Sequence, residues 1–329
     1  MSIAKTIYFR ADANAKIGYG HLFRCIAVNS MLKEHFRTRF FSETSHEFLL
    51  SILYKEDPLY QTGDPNKAFF DTIDEHCIAV LDGYHFDAHY QERVKAAGAC
   101  CVCIDDDQPF HYIADVVINH ADVPLDKYIS REAHTRLCTG FEYLMLRKEF
   151  LDYAQKNLPV AYKPFERIFC SFGGTDQAKV INKILEAVNY VPGVKSIHLV
   201  VSSKTDLQND WINNTRPYSL QLYHDLSVDK MLQLMLSCQV ALVPSSTISL
   251  ECYTAGLYLL TGQTAINQKH LLEGIANKPG VMSLNQWDEV TVPGIARSLL
   301  SLNEKAKNSG SFFRKIDSRF NFIQLFSGL

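Results

Sequence analysis

The sequence predicts an α/β protein made of two doubly wound, parallel-sheet halves. Two observations carry that expectation. Short apolar runs of strand length alternate with helical patterns over the 329 residues, and a proline-marked break divides the alternation into two similar stretches. A chain of this length can bury two ordinary cores.

The elements follow in order. Thr6 to Arg10 reads as a short buried strand, and a glycine-bearing turn follows it. From Leu22 to Phe36, Phe23, Ala27 and Met31 recur at four-residue spacing, so strand, glycine turn and helix succeed one another. Further strands are expected at 39–41, 78–81, 101–104 and 116–118, ahead of a charged helical stretch near 147–157. Pro159 and Pro164 then break the helical pattern, and strands resume at 168–170, 197–201, 220–222, 240–243 and 259–261. The predicted domains are therefore 1–158 and 159–329. In open α/β sheets ligands bind beyond the carboxyl ends of the strands, so two such domains facing a cleft would place the site there.

Composition narrows the function classes. Lys and Arg number 33 against 36 Asp and Glu, a formal net charge of −3, which argues against binding nucleic acid by phosphate neutralisation. No apolar run is long enough to span a bilayer, and the first residues lack the apolar core of a signal peptide, so a cytoplasmic protein without a membrane partner is expected. Nine cysteines, an odd number scattered through apolar segments, suit reduced buried thiols. Cys100, Cys101 and Cys103 lie within a strand with no second ligand pair nearby, and Asp105 to Asp107 suit turn residues or loop acceptors better than a cation site. No metal and no cofactor is expected. Oligomeric state is not written in the sequence.

The segment from Arg10 to Arg24 carries the most chemistry. Gly18 and Gly20 allow backbone conformations closed to other residues and let a ligand approach the main chain closely, and the unpaired N–H groups of the following helix face whatever binds there. His21 sits in that positive field as an imidazole able to accept a proton near neutral pH, or else it caps its helix. The adjacent glycines and the charges Arg10, Asp12 and Arg24 favour a site. After the 78–81 strand, Asp82, Gly83 and Tyr84 form a second polar cluster, in which Tyr84 offers a hydroxyl or acts as an aromatic lid over a turn.

In the second half, the 168–170 strand runs into Gly173, Gly174 and Thr175 before a helical pattern through Ile181, Ile184, Leu185 and Val188. That arrangement suits a diphosphate on a helix N-terminus, or an ordinary tight turn. It is neither a P-loop nor a dinucleotide fingerprint. After the 240–243 strand, Ser245, Ser246 and Thr247 precede Glu251. A carboxylate there would hold a ribose through two hydrogen bonds, while a capping box reads equally well. Asn267 and Gln268 precede one more helix, where Asn267 fits a cap as well as a ligand contact.

Taken in order, these residues resemble the UDP-sugar hydrolases of pseudaminic acid biosynthesis, which release UDP from UDP-2,4-diacetamido-2,4,6-trideoxy-β-L-altropyranose. The resemblance rests on Arg10-Ala-Asp12, on Ile17-Gly18-Tyr19-Gly20-His21 with Arg24, and on Asp82-Gly83-Tyr84. It continues through Ile104-Asp105-Asp106, Gly140, Leu146-Arg147, Phe150, Phe172 to Asp176, Ser246 with Glu251, and Asn267-Gln268. It implies a GT-B fold with two Rossmann-like domains and UDP held chiefly by the second. It also implies a catalytic role for His21, with Tyr84 and Asn267 near the sugar. Arg10, Asp12, Gly18, Gly20, Arg24, Gly173, Gly174, Thr175, Ser246, Thr247, Glu251 and Gln268 are the expected substrate contacts. Where the family often shows a glycine-rich loop before the ribose-binding glutamate, this chain has Pro244-Ser245-Ser246. The activity so implied is hydrolysis with inversion by C–O cleavage, His21 deprotonating water. The alternative is a GT-B glycosyltransferase using a UDP-sugar donor, in which His21 would activate an acceptor hydroxyl.

Overall fold

The computed structural model describes residues 5–14, 18–44, 47–106, 111–122, 130–156, 158–172, 177–201, 215–224, 226–310, 316 and 318–329. The chain divides into two compact units, one formed by Met1–Lys148 with Asp317–Leu329 and the other by Glu149–Ile316.

In the first unit the order is β1 (Thr6–Ala11), α1 (Gly20–Leu32), β2 (Arg37–Phe41), α2 (Glu47–Glu56), α3 (Pro65–Phe70), β3 (Cys77–Asp82), α4 (Ala88–Ala96), β4 (Cys100–Ile104), β5 (Val116–Asn119) and β6 (Arg136–Thr139). Its six strands lie in the order β2-β1-β3-β4-β5-β6, and every neighbouring pair is parallel. All six residues of β3 are buried, as expected of a central strand covered on both faces, and its run Cys77-Ile-Ala-Val-Leu is apolar throughout. On one face Phe41, Phe69, Ala79, Leu81, Phe86, Tyr90 and Val117 form a shared core, which seats the polar turn after β3 on rigid packing.

The second unit runs through α5 (Lys148–Ala154), β7 (Arg167–Ser171), α6 (Ala178–Val188), β8 (Ser196–Val201), β9 (Ser219–His224), α7 (Val228–Ser237), β10 (Val240–Pro244), α8 (Thr247–Thr254), β11 (Tyr258–Gln263), α9 (Lys269–Ala276), β12 (Val281–Gln286) and α10 (Val292–Asn308). Its strands lie in the order β12-β11-β10-β7-β8-β9, again parallel throughout. The predicted pattern on α6 is the face it buries: Ile181, Ile184, Leu185 and Val188 all join the core with Trp287, Leu260 and Leu299.

The last helix, α11 (Arg319–Ser327), belongs to the first unit. Phe322, Leu325 and Phe326 are buried, the helix packs against α1, and the Ser318 hydroxyl donates to the Leu144 carbonyl at 2.6 Å. Each predicted strand lies within or overlaps an observed one, whereas β6 and β12 were not expected. Both are edge strands with partly exposed residues, so neither presents the continuous apolar run that marks a central strand.

Candidate active site

The first sheet reverses its winding at β1, because β2 lies on one side of that strand and β3 on the other. The carboxyl ends of β1 and β3 therefore flank a topological switch point, where α/β sheets leave a crevice for ligands. Ala11 is in register with Asp82, so Asp12 and Asp82 project from adjacent strand ends.

His21 is the second residue of α1, whose N-cap is Tyr19. Its ring does not cap the helix. Nδ1 lies 2.7 Å from the Asp82 carboxylate, across 61 residues of sequence, and the side chain is buried, with the residue 3% exposed. Arg24, one turn further along α1, binds the same carboxylate with Nε at 2.8 Å and Nη2 at 2.6 Å. Arg24 Nη2 also stands 2.8 Å from His21 Nδ1. A guanidinium cannot accept a proton, so the consistent assignment has Nδ1–H and Nη2–H both donating to Asp82 Oδ1. The second ring nitrogen, Nε2, then carries the lone pair, and it has no partner among the described residues. Tyr84 sets its ring edge-on to His21, with centroids 4.6 Å apart, and is itself 44% exposed.

Charge is concentrated around this pair. Burial works to raise the Asp82 carboxyl, but the charge and hydrogen bonds of Arg24, with His21, hold it below the usual carboxylate range. Arg24 Nη1 donates at 2.8 Å to Asp106, which also accepts from the Tyr84 hydroxyl at 3.4 Å. Burial raises the Asp106 carboxyl, a shift Arg24 opposes and Asp82 reinforces, and its Oδ1 is buried without a partner among the described residues. His120, just beyond β5, is buried on the same side. Burial and the nearby Arg24 charge push its imidazole down to about 3, and its Nδ1 is unpartnered among the described residues. Asp105 points into structure instead, accepting from Tyr112 and Asn119 at 2.8 Å each.

A second cluster occupies the end of β1. Arg10 is 1% exposed, lies over the Phe86 ring at 5.1 Å, and donates to Asp12 and to Asn66 Oδ1. So engaged, it holds the Asp12 carboxylate in place. Asp12 also accepts from the Glu43 backbone N–H at 2.6 Å and pairs through Oδ2 with His85 Nε2 at 3.0 Å. Burial would raise this carboxyl, but the bonds from His85 and Arg10 hold it at about 2. Gly18 takes φ +84°, a left-handed conformation that suits glycine, and its N–H closes a turn onto Asn14. Gly20 departs from the expectation of special backbone freedom: it begins α1 without a positive φ and with open space where a Cβ would stand.

The second sheet has the same kind of switch at β7 and β10. Gly173, Gly174 and Thr175, expected beyond β7, lie outside the described residues. Beyond β10, Ser245 is fully buried, its N–H donating to Gly262 and its hydroxyl to the Gln268 carbonyl at 3.4 Å. Ser246 is the N-cap residue of α8 yet makes no side-chain capping bond, so the capping-box reading is not met there. Thr247 is half-buried and opens α8, and Glu251, on the same helix, is buried. Asn267 is exposed in a short turn ahead of α9, whose N-cap is Gln268, so it does not cap that helix. Gln268 holds the turn together: its Oε1 accepts from the Thr264 N–H at 2.9 Å.

No protein-family model matches the chain. An uncharacterized protein of Methanocaldococcus jannaschii is 21% identical over 236 residues, which are 68% of this chain and 48% of that protein. The chain thus spans about half the length of that relative. Among solved structures, MurG of Acinetobacter baumannii superposes with a TM-score of 0.63 at 12% identity, covering 99% of this chain and all of that one. UGT2 of Phytolacca americana, complexed with UDP-2-fluoro-glucose and pterostilbene, gives 0.58 at 12% identity, with 99% and 95% covered. The fold is GT-B.

Within this GT-B chain the sequence-derived residues fall into two groups. Arg10, Asp12, Gly18, His21, Arg24 and Tyr84 gather around the switch point of the first sheet, and Ser246, Thr247, Glu251, Asn267 and Gln268 lie at or beyond strand ends of the second. Sequence reading did not pick out His85, Asn66, Asp106 or His120 as site residues. The first two are far in sequence from the groups they bond, and the last two stand out only once β4 is paired with β3 and β5 with β4.

Proposed function

We propose that this protein cleaves the anomeric C–O bond of a UDP-sugar, with His21 as the base that activates the nucleophile, and that the nucleophile is water. The observation that carries the reading is the His21–Asp82 contact at the switch point of the first sheet. With Nδ1–H donated to Asp82, the lone pair is on Nε2, and the carboxylate stabilises the imidazolium that forms when a proton is taken up. Arg24 keeps Asp82 ionised and fixes its orientation. The Tyr84 ring stands edge-on to His21, and the imidazole is buried, surroundings that favour a small nucleophile such as water.

In this reading UDP is held by the second unit, through the loop after β10 with Ser246, Thr247 and Glu251, and Asn267 serves the sugar. Helix N-termini supply the field that lets UDP depart, so a paired carboxylic acid is not required. The resemblance of the motifs makes UDP-2,4-diacetamido-2,4,6-trideoxy-β-L-altropyranose the proposed substrate and pseudaminic acid biosynthesis the setting.

A second reading is glycosyl transfer, in which an acceptor hydroxyl replaces water at His21. The full-length likeness to solved structures of glycosyltransferases favours it over hydrolysis. One experiment separates the two. The protein is incubated with a panel of UDP-sugars in isotopically labelled water and no acceptor. Hydrolysis predicts rapid UDP release from the diacetamido sugar with label in the free sugar. Label in UDP contradicts attack at carbon, and release that stays slow until an acceptor is added points to transfer.

A further inference from the structure

The first sheet ends in a second histidine–carboxylate pair that the proposed reaction does not use. Asp12 holds His85 through Nε2 at 3.0 Å, and the His85 side chain remains 45% exposed. His85 Nδ1 has no partner among the described residues. The ring is seated from below, since it lies 4.0 Å from the buried Phe86 ring and its Cε1 stands 3.3 Å from where a Cβ on Gly83 would be. Asp12 is fixed in turn by buried Arg10, by Asn66 beyond it and by the Glu43 N–H. Its carboxyl is held at about 2 by the His85 and Arg10 bonds against the opposing effect of burial, so it stays an acceptor at any ordinary pH.

The two pairs are neighbours. Ala11 and Asp82 are in register on adjacent parallel strands, which stand about 4.8 Å apart, so Asp12 emerges beside the Asp82–Gly83 step. Tyr84 leans over His21 and the next residue, His85, leans over Asp12, so the turn after β3 carries both arrangements. His21 presents a sheltered nitrogen at this edge of the sheet, while His85 presents an open one.

We propose that His85 is a substrate-positioning residue, its Nδ1 accepting a hydrogen bond from a polar N–H or O–H substituent on the glycosyl ring. In the neutral ring Nε2–H goes to Asp12, which leaves Nδ1 with the lone pair and nothing else to accept. Acetamido N–H groups on the sugar are donors of the right kind. The inference rests on the reading that the ligand is a UDP-sugar, and its role is binding rather than proton transfer.

The test uses the full chain carrying His21→Ala, so that binding is read without turnover. Calorimetry with UDP-2,4-diacetamido-2,4,6-trideoxy-β-L-altropyranose and with UDP alone is compared before and after adding His85→Phe, which keeps ring packing on Phe86. The expected result is a Kd for the UDP-sugar raised about tenfold with the Kd for UDP unchanged, and substantial recovery with His85→Gln, whose amide oxygen can accept. An unchanged UDP-sugar Kd in His85→Phe overturns the inference alone, as does an equal loss for UDP. A parent that binds UDP but gains nothing from the sugar, or binds neither, overturns the UDP-sugar reading and this inference with it.

Discussion

At the scale of single residues, the site is a set of charges arranged so that one imidazole nitrogen is left with a lone pair. The glycine turn before His21 was legible because turn residues act locally. Its partner Asp82 was visible as an acid at a strand end, but the contact spans 61 residues and exists only once β3 lies beside β1. His120 illustrates the same point. Nothing in its neighbourhood of sequence marks it, yet burial and Arg24 push it from 6.5 to about 3. Since the unfolded chain binds a proton there that the folded chain refuses, its contribution to stability is complete above about pH 6.5 and is lost as pH falls toward about 3. Asp12 and Asp82 act in the same direction but in a lower window, beginning below about 3.8. Urea unfolding is therefore expected to show a stability loss of about 2 kcal/mol between about pH 7 and about pH 5 that His120→Gln removes. An identical slope in both proteins would contradict that assignment.

At the scale of elements, the turn from Asp82 to Asp87 between β3 and α4 does most to build the site. It carries Asp82, Tyr84 and His85, ends with Asp87 capping α4 through the Tyr90 N–H, and rests on Phe86. Gly83 is required by space rather than by an unusual φ, because an added Cβ would stand 2.9 Å from Cε2 of buried Phe86. Gly83→Ala is expected to destabilise the protein by about 1–3 kcal/mol through overpacking against Phe86 and His85, read from the urea midpoint, and to lower turnover by shifting the turn that carries Tyr84. A variant with unchanged stability and rate would show that the turn tolerates the shift. Central strands were readable because both faces are buried and their residues are uniformly apolar. The edges β6 and β12 were not, since a half-exposed strand dilutes that signal with Arg136, Ser283 and Asn285.

For the whole molecule, two sheets with the same kind of winding reversal explain why the polar residues singled out in the sequence cluster after β1, β3 and β10. The return of α11 to the first unit was not legible, because nothing in an amphipathic terminal helix says which core it joins. Truncation before Ser318 would expose the α1 surface that Phe322, Leu325 and Phe326 cover. It is expected to lower the melting transition of the first unit and leave that of the second in place, as followed by calorimetry; a uniform shift of both would argue against two separate cores. The account as a whole turns on His21, and steady-state UDP release by His21→Ala tests it most directly. With the diacetamido UDP-sugar as substrate, kcat should fall by about 10² to 10⁴ while nucleotide binding is kept. Turnover close to that of the unmodified protein would contradict the account.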